Sequence, residues 1–282
     1  MIQECKNPIA RQFSWIFANH LEGTEQMIFE THAHYDDERF AEDRGELLAQ
    51  LPSLGIGKVI NVASTISSIE ECVELAQRYD HVYAAVGVHP SELEGMSDAV
   101  IEKMRELAAW EKTVAIGEIG LDYYWEKDEA VQKTQREWFA RQLELAREVG
   151  LPVIIHSRDA AEDTLTLMKD MHAENIPGVI HCYSYSPELA REYVKMGYYI
   201  GVGGVVTFKN AKKLVQTVAE TPIERILLET DSPYLAPEPH RGHRNDSREL
   251  VYVVEKIAEI KGITPEEVED ITWKNASGLF QV

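Results

Sequence analysis

Met27-Ile28-Phe29-Glu30-Thr31-His32-Ala33-His34 decides how the chain is read. A short apolar run at 27–31 predicts a strand, and it breaks off into two histidines two residues apart, whose side chains share one face of an extended chain. The arrangement recurs. Apolar, β-branched runs predict further strands at 58–62, 82–86, 113–117, 152–155, 178–180, 198–201 and 225–228. Glu118 follows the fourth run, His156 the fifth, His181 the sixth and Asp231 the eighth, while His89 lies just beyond the third.

Amphipathic segments at 37–50, 67–79, 98–109, 128–149, 159–172, 187–196, 209–219 and 246–261 predict the intervening helices. In 135–149, Trp138, Phe139, Gln142, Leu145, Ala146 and Val149 recur at helical spacing, as expected of a helix packed on a sheet. Eight strands each followed by a helix predict an α/β fold, a closed parallel TIM (β/α)8 barrel, for which about 250 residues in one unit is usual. No G-x-G-x-x-G turn follows the first strand, which argues against an open dinucleotide-binding sheet. Beyond the last strand, 265–270 and 272–280 read as two extra C-terminal helices, the first with Thr264 as N-cap and Pro265 at its first position.

The barrel is therefore expected over 27–282, with residues 1–26 as a short N-terminal extension. Phe13, Ile16, Phe17 and Leu21 could line one face of a helix over an end of the barrel, or Met27 could be the translation start.

Apolar residues make up 44% of the 282, enough for a large core. No run of about 20 apolar residues suggests a membrane span, and the first 27 residues lack a cleavable signal pattern, so the expected location is cytoplasmic with no membrane contact. Cys5, Cys72 and Cys182 have unrelated spacings and read as free thiols of a reducing compartment. Cys182, next to His181 on an extended chain, is expected to point to the opposite face and pack. The net charge of −20 excludes a nonspecific duplex binder, which needs a basic surface. It leaves room for an enzyme that grips one phosphate or strand end through bound cations and a local basic loop. No obligate protein partner is inferred.

In such a barrel, residues at the C-terminal strand ends converge on one pocket. Taken singly, each could be a hydrogen-bonded core residue. Together, four histidines and two carboxylates form a nitrogen and oxygen shell suited to Zn²⁺, Mn²⁺ or Fe²⁺, with Mg²⁺ less natural beside imidazole. Two divalent ions are expected: His32, His34, Glu118 and Asp231 would hold one, and Glu118, His156 and His181 the other. Such a pair, about 3.5–4 Å apart, would polarise a scissile oxygen and activate water. Glu118 would bridge them, and Asp231 would also take the proton of the attacking water.

Lys209, Lys212 and Lys213 after the seventh strand and Arg241, His243 and Arg244 after the eighth lie where barrels often bind phosphate. Lys212 and Lys213 fit a solvated helix face equally well. Arg241 and Arg244 offer planar guanidinium groups that grip phosphate in bidentate fashion. Tyr123, Tyr124 and Trp125 could stack on a base or wall the pocket, and His89 could orient substrate or a ligand or pack in the core. His20, His81 and His172 read as surface residues.

Thr31-His32-Ala33-His34-Tyr35-Asp36, Gly87-Val88-His89-Pro90, Gly117-Glu118-Ile119-Gly120-Leu121-Asp122-Tyr123, His156-Ser157-Arg158, His181-Cys182-Tyr183, Thr207-Phe208-Lys209-Asn210-Ala211 and Glu229-Thr230-Asp231-Ser232-Pro233-Tyr234-Leu235 together resemble the TatD family of metal-dependent deoxyribonucleases, amidohydrolase-type barrels. The likeness runs from about residue 27 to the C-terminus. It implies the two-metal site on the matching residues and phosphodiester hydrolysis of DNA, here at single strands or ends because the surface is acidic. It also implies a rival, since some relatives are credited with removing amino acids from mischarged transfer RNA, and the same metals would serve an amidohydrolase or esterase acting on a carbonyl. A non-catalytic metal-binding scaffold is the third reading, and the complete ligand set counts against it. The chain departs from the pattern at Glu30, usually aspartate, at Tyr183 and Tyr185, often phenylalanine and glycine, at Ser247, often proline, and in the extension 1–26.

Overall fold

The computed structural model describes residues 27–282, so the expectations for residues 1–26 lie outside it. Eight strands, β1 (Ile28–Ala33), β2 (Ile56–Val62), β3 (Val82–Val86), β4 (Thr113–Asp122), β5 (Val153–Arg158), β6 (Gly178–Ile180), β7 (Tyr199–Val202) and β8 (Ile226–Leu228), pair in parallel in chain order. Helices α1 (Arg44–Gln50), α2 (Ser68–Arg78), α3 (Asp98–Ala108), α4 (Glu129–Val149), α5 (Ala161–Asp170), α6 (Pro187–Lys195) and α7 (Lys212–Glu220) separate them, and α8 (Leu250–Lys261) and α9 (Pro265–Phe280) come after β8. The ring closes through a few bonds between the ends of β1 and β8. Thr31 Oγ1 donates to the Leu228 carbonyl (2.8 Å), the Asp231 N–H to the His32 carbonyl (2.9 Å) and the His34 N–H to the Ser232 carbonyl (2.8 Å). This is the expected TIM barrel. Among the described residues no helix is long and apolar enough to cross a membrane.

Alternation along each strand sorts the core into two layers. Phe29, Ile60, Ala85, Ala115, Ile154, Val179 and Leu227 fill the barrel, whose foot is plugged by Ala276, Leu279 and Phe280 of α9. Their neighbours Val59, Val86, Ile116, Ile155, Ile180 and Leu228 face the helices. Two residues beyond Ile154 and Val179 the same parity turns His156 and His181 inward. On β1 and β4 parity alone would fail. From Glu30 to Ala33 the chain takes three steps while β2 takes two, from Val59 to Asn61, and from Ile116 to Ile119 it takes three while β5 takes two, from Val153 to Ile155. Each extra residue is a bulge that re-aims the side chains beyond it, and the two bulges hold His32 and Glu118.

Among the expected elements, three change most. β4 does not stop at 117 but continues to Asp122, because Ile119 and Leu121 are fully buried and the ladder with β5 persists through Gly120 opposite His156 and Asp122 opposite Arg158. The helix expected over 37–50 breaks into a 3-10 turn, Glu38–Phe40, capped by the Asp37 side chain, and α1. The two C-terminal helices are one, since Thr272 at the expected break folds its hydroxyl back onto the Val268 carbonyl (2.7 Å) and stays helical. Thr264 caps it, in a reciprocal capping box with Glu267.

Gly120 shows how closely β4 and β5 approach. Its φ is +146°, a region that side chains rarely adopt, and a methyl group there would lie 1.9 Å from the His156 carbonyl oxygen. Gly120→Ala is therefore expected to destabilise the protein by about 3 kcal/mol or more, read as a lower urea midpoint. An unchanged midpoint would mean that the strands can part at this position without cost.

Candidate metal centre

Glu118 stands at the centre, with its side chain only 4% exposed. Its two oxygens face different groups. Oε2 lies 3.4 Å from His32 Nε2 and 3.7 Å from His34 Nε2, and Asp231 Oδ1 completes that side at 3.7 and 3.4 Å from the same two nitrogens. Oε1 lies 2.8 Å from His156 Nδ1, 2.7 Å from His181 Nε2 and 3.6 Å from His89 Nε2. Donor atoms around a tetrahedral ion with bonds of about 2.0–2.1 Å sit about 3.4 Å apart, and Glu118 Oε2 and Asp231 Oδ1 each stand 3.4–3.7 Å from the Nε2 atoms of His32 and His34. Three groupings, His32–His34–Asp231, His89–Glu118–His156 and His32–Glu118–His181, each gather three candidate donors within 4.8 Å.

The outer nitrogens show which inner ones can coordinate. His34 Nδ1 lies 2.8 Å from the Val62 carbonyl, an acceptor only, so Nδ1 carries the proton and Nε2 presents its lone pair to the cluster. His156 Nε2 lies 3.1 Å from Asp122 Oδ2, which by the same logic leaves Nδ1 as the inward lone pair. His89 is the reverse. Its Nδ1 accepts the Ser91 N–H (3.1 Å), so the neutral ring carries its proton on Nε2, facing Glu118, and is suited to donate to an anionic oxygen rather than to ligate. Inward lone pairs crowded against carboxylate oxygens are repulsive unless a cation lies between them, so the residues present fit bound divalent metal. His32 Nδ1 and His181 Nδ1 find no hydrogen-bond partner among the described residues, and the two rings stack at 3.9 Å.

Burial alone would raise the Glu118 carboxyl, but the imidazoles around it, His181 foremost, hold it well below the ordinary range. Asp231 is likewise lowered against its burial, by His34 and the other imidazoles beside it. Two other buried acids go the opposite way. Burial pushes Glu30 up to about 8 and Glu229 up to about 7. Their work is structural: Glu30 Oε1 accepts the N–H of both His32 (3.1 Å) and Thr230 (2.9 Å), and Glu229 Oε1 accepts the N–H of Cys182. Gly201 leaves room for that second carboxylate, since a methyl group there would lie 2.3 Å from Glu229 Oε2.

The rim departs from expectation at several residues. Arg244 is committed to Asp43 by two bonds (2.7 and 2.6 Å) and to the Arg39 carbonyl, so it fastens the loop after β8 to the loop after β1 instead of offering itself to phosphate. Tyr123 is not an open ring, because its hydroxyl donates to Asp163 (2.7 Å) and accepts from Arg136 (2.9 Å), tying the loop to α4 and α5. The exposed rings are its neighbours, Tyr124 and Trp125. Arg241 stays exposed, 4.3 Å over the Phe208 ring, and Lys209 is exposed beside it in sequence. Tyr183 and Tyr185 are used for packing, with hydroxyls on the Ser186 carbonyl and on Ser157. β6 ends at Ile180, so strand alternation does not govern Cys182. It is left-handed (φ 44°) and borders a small cavity of about 30 Å³ next to Asp231, shared with Gly203, Val205 and Leu235. Ser247 donates its N–H to the Tyr35 hydroxyl (3.0 Å), a bond proline could not make.

Asp122 and Arg158 had no assigned role in the sequence. Asp122 was visible as an acid four residues past Glu118 in an apolar run, and Arg158 as a cation two past His156. Asp122→Asn is expected to leave the fold intact and to weaken metal retention about 10–100-fold, by loosening the His156 tautomer, measured by competition against a chromogenic chelator. Unchanged retention would remove Asp122 from any role at the centre.

The family model described as TatD related DNase matches residues 29–281. YabD of Bacillus subtilis, described as an uncharacterized metal-dependent hydrolase, is 44% identical over 256 residues, which cover 91% of this chain and 100% of YabD. YcfH of Escherichia coli K12, described in the same words, is 36% identical over 90% of this chain and 96% of its own. The solved structure of the TatD homolog YjjV from Escherichia coli aligns with a TM-score of 0.86 at 31% identity, covering 92% of this chain and all of that one. An organophosphorus hydrolase from Deinococcus radiodurans shares the fold at a TM-score of 0.62 and 16% identity. The donor cluster and these likenesses agree, and the chain belongs to the TatD family of metal-dependent hydrolases.

Proposed function

We propose that the protein is a two-metal phosphodiesterase that hydrolyses DNA at ends or in single strands. The observation that carries this reading is the division of Glu118, with Oε2 among His32, His34 and Asp231 and Oε1 between His156 and His181. Two bound divalent ions supply Lewis acidity at the scissile group and lower the pKa of water. The chain's own residues do the rest. Asp231 is the most open of the carboxylates and imidazoles in the two sets, with 19% of its side chain exposed, and its left-handed backbone (φ 58°) aims it from the barrel seam. It is the base that accepts the proton of the attacking water. His89 donates a hydrogen bond from its Nε2–H to an anionic oxygen of the substrate.

A phosphate-bearing substrate is favoured over a small carbonyl compound by the arginines. Arg158 and Arg241 have no carboxylate or carbonyl partner among the described residues, lie on aromatic rings, and flank the centre from β5 and from the loop after β8. Such guanidinium groups are free to grip phosphate oxygens. The thiols of Cys72 and Cys182 are free, which suits a reducing compartment, and the cytoplasm is the proposed location.

The test is hydrolysis of an end-labelled single-stranded oligodeoxynucleotide by metal-stripped protein reloaded with Mn²⁺, Mg²⁺ or Zn²⁺, beside a mischarged-tRNA ester. Metal-dependent shortening is expected, with Asp231→Asn slower by about 100-fold or more and Glu118→Gln losing bound metal. Intact DNA with cleaved ester would move the assignment to acyl hydrolysis on the same centre. Full activity and unchanged metal content in both variants would sink it.

A further inference from the structure

We infer that Tyr124, Trp125 and Arg158 form a stacking site for one unpaired base of the strand being cut, which rests on the phosphodiesterase reading above. Trp125 is 65% exposed and Tyr124 44%, a costly way to leave two large rings in a chain able to bury a full barrel core. They meet edge to face, with centroids 4.7 Å apart and planes at 86°, so their faces are not stacked on each other. Arg158 lies 4.0 Å over Tyr124 and 5.6 Å from the centroid of Trp125.

Asp122 joins this patch to the metal centre. Its Oδ1 accepts the N–H groups of Tyr124 (2.9 Å) and Trp125 (3.1 Å), forming the turn that presents the rings, while Oδ2 holds His156 at 3.1 Å. One carboxylate thus positions both a metal ligand and the rings. Arg158 stands two residues beyond His156 on β5 and opposite Asp122 in the ladder.

The chemistry of the patch selects its occupant. Stacking on open rings suits a flat heterocycle, and a guanidinium that lies on a ring still presents its N–H edge to phosphate. A nucleotide carries both parts, whereas a small ester or amide carries neither. The base must be unpaired, because in a duplex its faces are already stacked and the protein's charge of −20 repels a second strand. Every base has such a face, so the site is tolerant of sequence.

The experiment uses metal-loaded full-length protein and dye-labelled phosphorothioate oligothymidylate, whose slow cleavage permits anisotropy measurements. The Tyr124→Ala/Trp125→Ala double variant should bind it about tenfold or more weakly, while Trp125→Phe stays within about threefold. An abasic strand of equal length should bind wild type weakly and ignore the double variant, and bound metal and Tm should be the same in all. Equal binding by the double variant, abasic binding as tight as oligothymidylate, or no binding by wild type overturns the stacking site. The two readings fail separately. Wild type that cuts ordinary DNA while the double variant keeps the same KM loses the stacking site and retains the phosphodiesterase. The expected binding pattern without cleavage of any phosphodiester does the opposite.

Discussion

A carboxylate held away from water in the middle of a barrel has to be compensated, and the way Glu118 is compensated shapes the rest of the structure. Isolated, such a charge would cost several kcal/mol or take up a proton. Here five imidazoles surround it, two of them with their outer nitrogens tied to the Val62 carbonyl and to Asp122 so that the inner ones present lone pairs. Those lone pairs and the carboxylate oxygens repel each other unless cations lie among them. A cation bound among them would relieve that repulsion and compensate the buried carboxylate at once.

The barrel seam is built from the same residues. His32 and Asp231 present side chains to the cluster while the Asp231 N–H bonds the His32 carbonyl, and Glu30 accepts the N–H of both His32 and Thr230 with one oxygen. Closure of β8 on β1 thus sets the distance between side chains of the cluster nearly 200 positions apart. A shift of the seam would be a shift of the centre. The loops outside it divide their cations: Arg244 and Arg136 are spent on Asp43, Glu129 and Asp163, leaving Arg158 and Arg241 on aromatic rings.

That division could not be read from residue type. Arg241 and Arg244 share a loop and a charge, yet only one of them has a carboxylate across the seam to meet. Tyr123 and Tyr124 are adjacent and chemically identical, but the first reaches Arg136 and Asp163 and the second does not. Cys182 was expected to obey strand alternation, and it escapes because β6 is only three residues long and ends before it.

What the sequence determined by itself is the barrel and which histidines and carboxylates gather at its C-terminal rim. Alternating apolar runs and amphipathic helices have characteristic periods, and metal-binding side chains at the ends of predicted parallel strands must converge when those strands close. For His156 and His181 even the inward direction comes from counting by two from Ile154 and Val179. For His32, His34 and Glu118 it does not, because counting from Phe29 and Ala115 selects other residues. Only the tertiary structure contains the extra residue that each of β1 and β4 takes against its neighbour, and a bulge depends on the register between two strands, which no single stretch of sequence carries.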